Sequence, residues 1–303
     1  MALARPHTPT AMKIIDAQLH LWGADSATRP WPRGGTPIPH RDAPWSADEL
    51  LDAMDEAGVA AAILVPPGWE GDRNDLAIAA VQAQPERFAI MGRFEPLSDD
   101  PYEAFPRWRE QPGMLGVRFT FHSARGRDLL LEPAMERTWA AAEHYGIPLM
   151  IRALPPMLDT VAGVAARYPA LKLTLDHLAI PNGTVDEAAF AHLPALVALA
   201  RYPNIALKAT CMPAYTTDVF PYHNLYAPLR ALVDAFGPSR VFWGSDLSRL
   251  PGTYRQCVEQ WTEHMPWLDA AALDSIMGAG LATWLDWRRQ RPSPEVLRSA
   301  LDL

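Results

Sequence analysis

Short apolar runs in this chain repeatedly end in side chains that can carry charge or exchange protons. The run MKIIDAQLHLW places Asp16, Gln18 and His20 at alternate positions, on one face of an extended segment. RFAIMGRFEP carries Arg93, MLGVRFTF carries Arg118 and IPLMIRAL carries Arg152. LKLTLDHLA supplies Asp176 and His177, NIALKATC supplies Lys208, and RVFWGSD ends in Asp246. A charge in an apolar strand is costly to bury unless paired, so one such residue is accounted for by an internal salt bridge. Pairing of Arg93 or Lys208 with Asp16 or Asp176 is that structural alternative. Recurrence in seven of eight runs points instead to one shared polar pocket. The set is biased toward positive charge, which suits a small anionic substrate, because arginine holds a carboxylate in a two-pronged fork.

The elements that must position these residues follow from hydrophobic period. The eight apolar runs are the seven above and VAAAILVPP, which lies second in order and carries no ionisable group. Each is followed by a segment of helical period. SADELLDAMDEAG opens on Ser46 with Glu49 three residues on, a capping box, and stops at Gly58. NDLAIAAVQAQP is expected to be capped by Asn74 or Asp72. YEAFPRWREQ, LEPAMERTWAAAEHYG, PPMLDTVAGVAARYP, VDEAAFAHLPALVALARYP and LYAPLRALVDAFG complete the helices, with two or more further ones from Tyr254 to Trp287. Eight strand–helix units in about 240 residues predict an α/β fold, a single (β/α)8 TIM barrel with extra C-terminal helices. A doubly wound open sheet is disfavoured because no GxGxxG turn follows the first strand. In a barrel the residues at the strand ends line the active site. The connection 23–44, rich in Pro, Gly, Arg and Trp, is long enough to cover that site. His122 and Arg125 after strand four, and Tyr215, His223 and Tyr226 after strand seven, are candidate specificity residues.

Composition excludes several classes. The 303 residues are 49 % hydrophobic with a formal net charge of −8, and no basic stripe suggests nucleic acid. No apolar run reaches the ~20 residues of a membrane span, and residues 1–11 form a leader with no apolar signal core. One domain over 12–303 in the cytoplasm is expected. The two cysteines, Cys211 and Cys257, lack metal or redox spacing. No GxSxG elbow supports a serine nucleophile. The 11 tryptophans are mostly core and permit an apolar interface between copies.

IDAQLHLW, LDHLAIP and VFWGSD, in that order, resemble the amidohydrolase superfamily, in particular the amidohydrolase-2 branch that contains fuconolactonase-like and pyrone-dicarboxylate lactonase-like hydrolases. The resemblance covers about residues 13–287. It implies that Asp246 is the base that activates water and that His20 and His177 flank the scissile carbonyl. Gln18, Arg93, Arg118, Arg152, Lys208, His122, Arg125 and Tyr215 are then the substrate-binding set. The chain departs from the pattern in three places. Gln18 replaces the first histidine of Asp-x-His-x-His. Arg152 stands where metal-dependent relatives carry a histidine. LSRLPGTY follows Asp246, where fuconolactonase-like members continue Trp-Pro. A catalytic zinc takes at least three histidine or carboxylate ligands. Only His20, His177 and Asp246 remain for one, beside a repelling guanidinium. The expectation is a hydrolase of a lactone or activated ester that needs no metal. The alternatives are one divalent ion, zinc, on those three residues in a decarboxylase or C–N hydrolase, or a binding barrel without catalysis.

Overall fold

A computed structural model describes residues 12–32 and 41–287. The expected leader 1–11 and the middle of the 23–44 connection lie outside the described residues. The eight strands are β1 (Ile15–Leu19), β2 (Ala61–Leu64), β3 (Phe88–Gly92), β4 (Met114–Thr120), β5 (Leu149–Arg152), β6 (Leu173–Leu175), β7 (Ile205–Thr210) and β8 (Val241–Gly244). They pair in parallel and in sequence order, with Thr120 opposite Arg152 and Lys208 opposite Phe242. This is the expected TIM barrel.

The sheet closes between β8 and β1 through one buried carboxylate. Asp16 accepts from the Ser245 N–H (3.0 Å), the Ser245 hydroxyl (2.5 Å) and the Tyr254 hydroxyl (2.6 Å), and its neighbour Gln18 donates its own N–H (2.8 Å). Just above, the Asp246 N–H reaches the Gln18 carbonyl at 3.1 Å. Gly244 makes this approach feasible: a Cβ there would lie 2.6 Å from the Thr210 methyl and 3.0 Å from Asp16 Oδ1. Burial pushes the Asp16 carboxyl up, and the hydrogen bonds from Ser245, Tyr254 and Gln18 only partly oppose this, leaving it at about 6.

Small side chains fill much of the barrel interior, among them Ala17, Ala61, Ala89 and Ala206 beside Met150 and Phe242. Their size leaves room for Leu281, Leu285 and Trp287 of the C-terminal segment, which join the same buried cluster. Lys172, just before β6, donates to the Trp284 carbonyl at 2.8 Å, so this segment closes the end opposite the strand C-termini. The outer faces of the strands pack on the helices.

The helix after β1, Ala47–Ala57, has the predicted capping box and ends at Gly58 with φ 75°. Asn74 precedes the helix Asp75–Ala83, yet its side chain makes no cap; it bonds instead to the backbone N–H and carbonyl of Arg93. The expected long helix after β6 is broken into Asp186–Ala189 and Leu193–Ala198, since Pro194 cannot continue a helix from Phe190. An additional helix, Ala124–Leu130, follows β4. It was obscured by Gly126, whose bare Cα is needed where the chain passes against the Thr120 and Phe121 backbone. No described helix is long and apolar enough to cross a membrane.

Candidate active site

Strands β1, β6, β7 and β8 bring their polar ends to one point. His20 Nε2 lies 3.1 Å from Asp246 Oδ1, and His177 Nε2 lies 3.8 Å from Oδ2. Gln18 Nε2 is 3.2 Å from His20 Nε2 and 3.3 Å from His177 Nε2. All four side chains are buried. Local backbone geometry achieves this convergence. On a regular strand Asp176 and His177 would face opposite sides. Instead β6 ends at Leu175, and His177, Leu178 and Ala179 follow with φ of 52°, 53° and 57°, turning both polar residues inward. Asp246, two residues past β8, has φ 48°. Left-handed backbone costs a non-glycine residue ~1 kcal/mol or more, and such strain gathers at functional sites.

A second layer orients the first. His20 Nδ1 donates to the Val65 carbonyl at 2.6 Å, which turns Nε2 toward the centre. Thr210 bonds His177 Nδ1 at 2.7 Å, and its hydroxyl can donate or accept, so His177 can present Nε2 as donor or acceptor. Lys208 Nζ donates to Gln18 Oε1 at 2.5 Å and pairs with Asp176 Oδ1 at 2.9 Å. Arg118 Nε donates to the other Asp176 oxygen at 3.1 Å and its Nη1 to Thr120.

The family model described as Amidohydrolase (Amidohydro_2) matches residues 15–299. The chain belongs to this amidohydrolase family. It is similar to an L-fucono-1,5-lactonase of Burkholderia ambifaria, 27 % identical over 247 residues that cover 79 % of this chain and 82 % of the relative. A second L-fucono-1,5-lactonase, from Burkholderia multivorans, is 26 % identical over 88 % of this chain and 94 % of its own. Among solved structures, a Burkholderia multivorans amidohydrolase with bound zinc superposes with a TM-score of 0.75 at 22 % identity, over 90 % of this chain and 99 % of that one. A probable 2-pyrone-4,6-dicarboxylic acid hydrolase of Acinetobacter baumannii, with citric acid bound, gives 0.74 at 16 %, over 91 % and 100 %.

The donor set of this amidohydrolase does not fit a divalent ion held as in a two-histidine site. Lysine can only donate, so Lys208 fixes Oε1 of Gln18 toward itself and leaves the amide N–H2 facing both imidazole nitrogens. A cation there would meet those N–H groups. Turning the amide over would set its N–H2 against the Lys208 ammonium.

Charges bear unequally on the remaining groups. Burial would raise the Asp246 carboxyl, but His20 at 3.1 Å and the guanidinium of Arg249 hold it well below its usual range. Burial drives His177 well below 6.5 despite the opposing charge of Asp246, so it is a neutral imidazole. Burial also acts upward on Asp176, yet Lys208 and Arg118 outweigh it and hold that carboxyl at about 2.

The other sequence candidates divide. Arg152 is buried and Tyr215 is fully enclosed beside the arginines. His122 is half-buried, and its Nδ1 has no partner among the described residues. Burial, with the charges of Arg152, Arg118 and Arg249, lowers it to about 4. Arg93 is engaged by Asp72 at 3.0 Å and reaches Thr120 at 3.4 Å. The structure does not bring Arg125 to this cluster: it is exposed and bonded to Glu95 at 3.0 Å, because the Ala124–Leu130 helix turns it outward. His223 is exposed and packs on Tyr226. Sequence reasoning missed Arg249, whose Nη1 lies 3.5 Å from Asp246 Oδ2, and Thr210 and Tyr254, which act through His177 and Asp16. The spacing of Arg249, three residues after Asp246 on a single turn, was the available signal.

Proposed function

We propose that this amidohydrolase hydrolyses a lactone, or a similarly activated ester, of a small carboxylated molecule, with Asp246 activating water and no catalytic metal. The observation that carries the reading is the buried Asp246 carboxylate, which faces two imidazoles and one guanidinium beside an excess of arginine. Both curated relatives bear the name lactonase, which supports the bond type. Their sugar lactone is not carried over, because an arginine-rich pocket wants an anion.

In this reading Asp246 takes a proton from water as its oxygen attacks the carbonyl carbon. General-base help of this kind contributes roughly 10²–10⁴-fold. His20 Nε2, at 3.1 Å, shares that proton with Asp246 while Nδ1 stays on Val65. The Gln18 N–H2, which Lys208 holds toward the centre, and a guanidinium of Arg118 or Arg152 donate to the oxyanion, with His177 flanking it. Loss of one such donor typically costs about 10²–10³ in rate. When the tetrahedral intermediate collapses, the ring C–O bond breaks. The leaving oxygen then takes the proton held by Asp246, and the product is a hydroxy acid.

The test is a pH-stat assay of chelator-treated protein against a panel of carboxylated lactones. Hydrolysis that persists after chelation is expected. Activity lost on chelation and restored by zinc, or no turnover of any member, contradicts the proposal.

A further inference from the structure

Arg249 and Arg152 share a neighbour without sharing a counter-ion. Arg249 Nη1 donates to the Tyr215 hydroxyl at 3.5 Å, and its guanidinium lies 5.8 Å from the centre of the Tyr215 ring. Arg152 acts on the same phenol: the charges of both arginines pull the Tyr215 hydroxyl down against the larger upward effect of burial. The two guanidiniums also feel each other, since Arg249 is among the groups that disfavour the charge on Arg152 after burial itself.

Among the described residues Arg152 has no counter-charge, and Arg249 is paired only with Asp246. Arg152 is 2 % exposed and, among the described residues, has no carboxylate at ion-pair distance. Its guanidinium bonds only uncharged acceptors: the Ile180 carbonyl at 2.6 Å, the Asn182 side-chain oxygen at 2.9 Å and the Ala153 carbonyl at 3.4 Å. Arg249 Nη1 is shared at 3.5 Å between the Asp246 carboxylate and the Tyr215 hydroxyl, both long contacts. Its remaining N–H groups keep their capacity to bind. The Tyr215 hydroxyl proton has no acceptor among the described residues. The charges of Arg152 and Arg249 also bear on His122, whose Nδ1 has no hydrogen-bond partner among the described residues. Two guanidiniums acting on one phenol O–H, one of them without a carboxylate partner, suit an anionic group.

We infer that Arg249, with Arg152, binds the carboxylate of the substrate over the face of Tyr215 and so determines specificity for carboxylated over neutral lactones. The inference rests on the hydrolytic reading for its substrate, but the binding site itself does not. Arg249 sits on the turn after β8 that also carries Asp246, and its N–H bonds the Asp246 carbonyl at 2.8 Å. A carboxylate held there is therefore indexed to the base by three residues of chain.

The test compares wild type, Arg249→Met and Arg249→Lys in two ways. The first is kcat/KM on lactones supplied both as the carboxylate and as the matching carboxamide. Arg249→Met is expected to lose about 10²-fold more on carboxylates than on carboxamides, with Arg249→Lys between. Equal loss on both series, or no loss on either, overturns the inference, since the arginine would then serve only Asp246 or nothing. The second measures binding of unreactive benzoate and isophthalate, against benzamide, by calorimetry and melting shift. Wild type is expected to bind the carboxylates at least tenfold more tightly than Arg249→Met does. Equal affinity, or no carboxylate binding by wild type, overturns it. Arg249-dependent carboxylate binding without hydrolysis of any lactone leaves this site standing and removes the hydrolytic reading.

Discussion

Replacing Lys208 by methionine tests the layer that aims the site. The ammonium lies fully buried between Gln18 Oε1 and Asp176 Oδ1. Methionine keeps most of the volume and removes the charge. Asp176 then keeps Arg118 on one oxygen and loses its partner on the other. Removing one member of a buried ion pair typically costs about 3–5 kcal/mol. The pKa gives a second gauge. Asp176 at about 2 against an ordinary 3.8 corresponds to ~2 kcal/mol of stability. A carboxyl lowered by folding stabilises the protein above the unfolded pKa, and the gain is lost as pH falls from about 4 through 2. Lys208→Met should therefore lose roughly 3 kcal/mol in urea unfolding at pH 7. Its deficit should shrink as pH approaches 3. The double variant Lys208→Met/Asp176→Leu should recover part of the loss, since no lone buried carboxylate remains. A single-variant cost below ~1 kcal/mol, or a double variant no better than the single, refutes the reasoning.

Two further predictions concern the site and its support. Gln18→His removes the amide that faces both imidazoles and supplies a third histidine, so metal analysis after dialysis should show near-stoichiometric zinc in the variant and little in wild type; equal zinc in both contradicts the fit argument. Asp16, raised to about 6 by burial, binds a proton more readily folded than unfolded, so its contribution falls by about 3 kcal/mol as pH rises from roughly 4 through 6. Asp16→Asn should remove that slope from unfolding free energies measured across the window, and an unchanged slope contradicts the assignment.

The barrel was legible because its signals are local. Apolar runs such as VAAAILV and capped amphipathic segments such as Ser46–Gly58 declare themselves within a dozen residues. The residues around Asp246 were legible by the same route, as polar interruptions of apolar runs. Their orientation was not. Nothing in DHLA announces the left-handed turn at His177–Ala179. Tyr254 and Asp16 are 238 positions apart in the chain, so their hydrogen bond exists only once the barrel closes. Arg125 looked like a pocket residue because it follows a strand, but position after a strand does not set direction. Arg249 lay in the polar stretch LSRLPG, which reads as loop until the turn after Asp246 folds it back. The sequence places Lys208 with the substrate-binding residues and leaves pairing to Asp176 as the structural alternative; that pairing is present, and the same ammonium also fixes Gln18.

The most direct measurement is kcat/KM of Asp246→Asn against wild type on carboxylated lactones. Asparagine keeps the size of the side chain and cannot take the proton of water. A fall of about 10³-fold or more is predicted in a variant that remains folded. A folded Asp246→Asn protein within about tenfold of wild type would show that the base lies elsewhere.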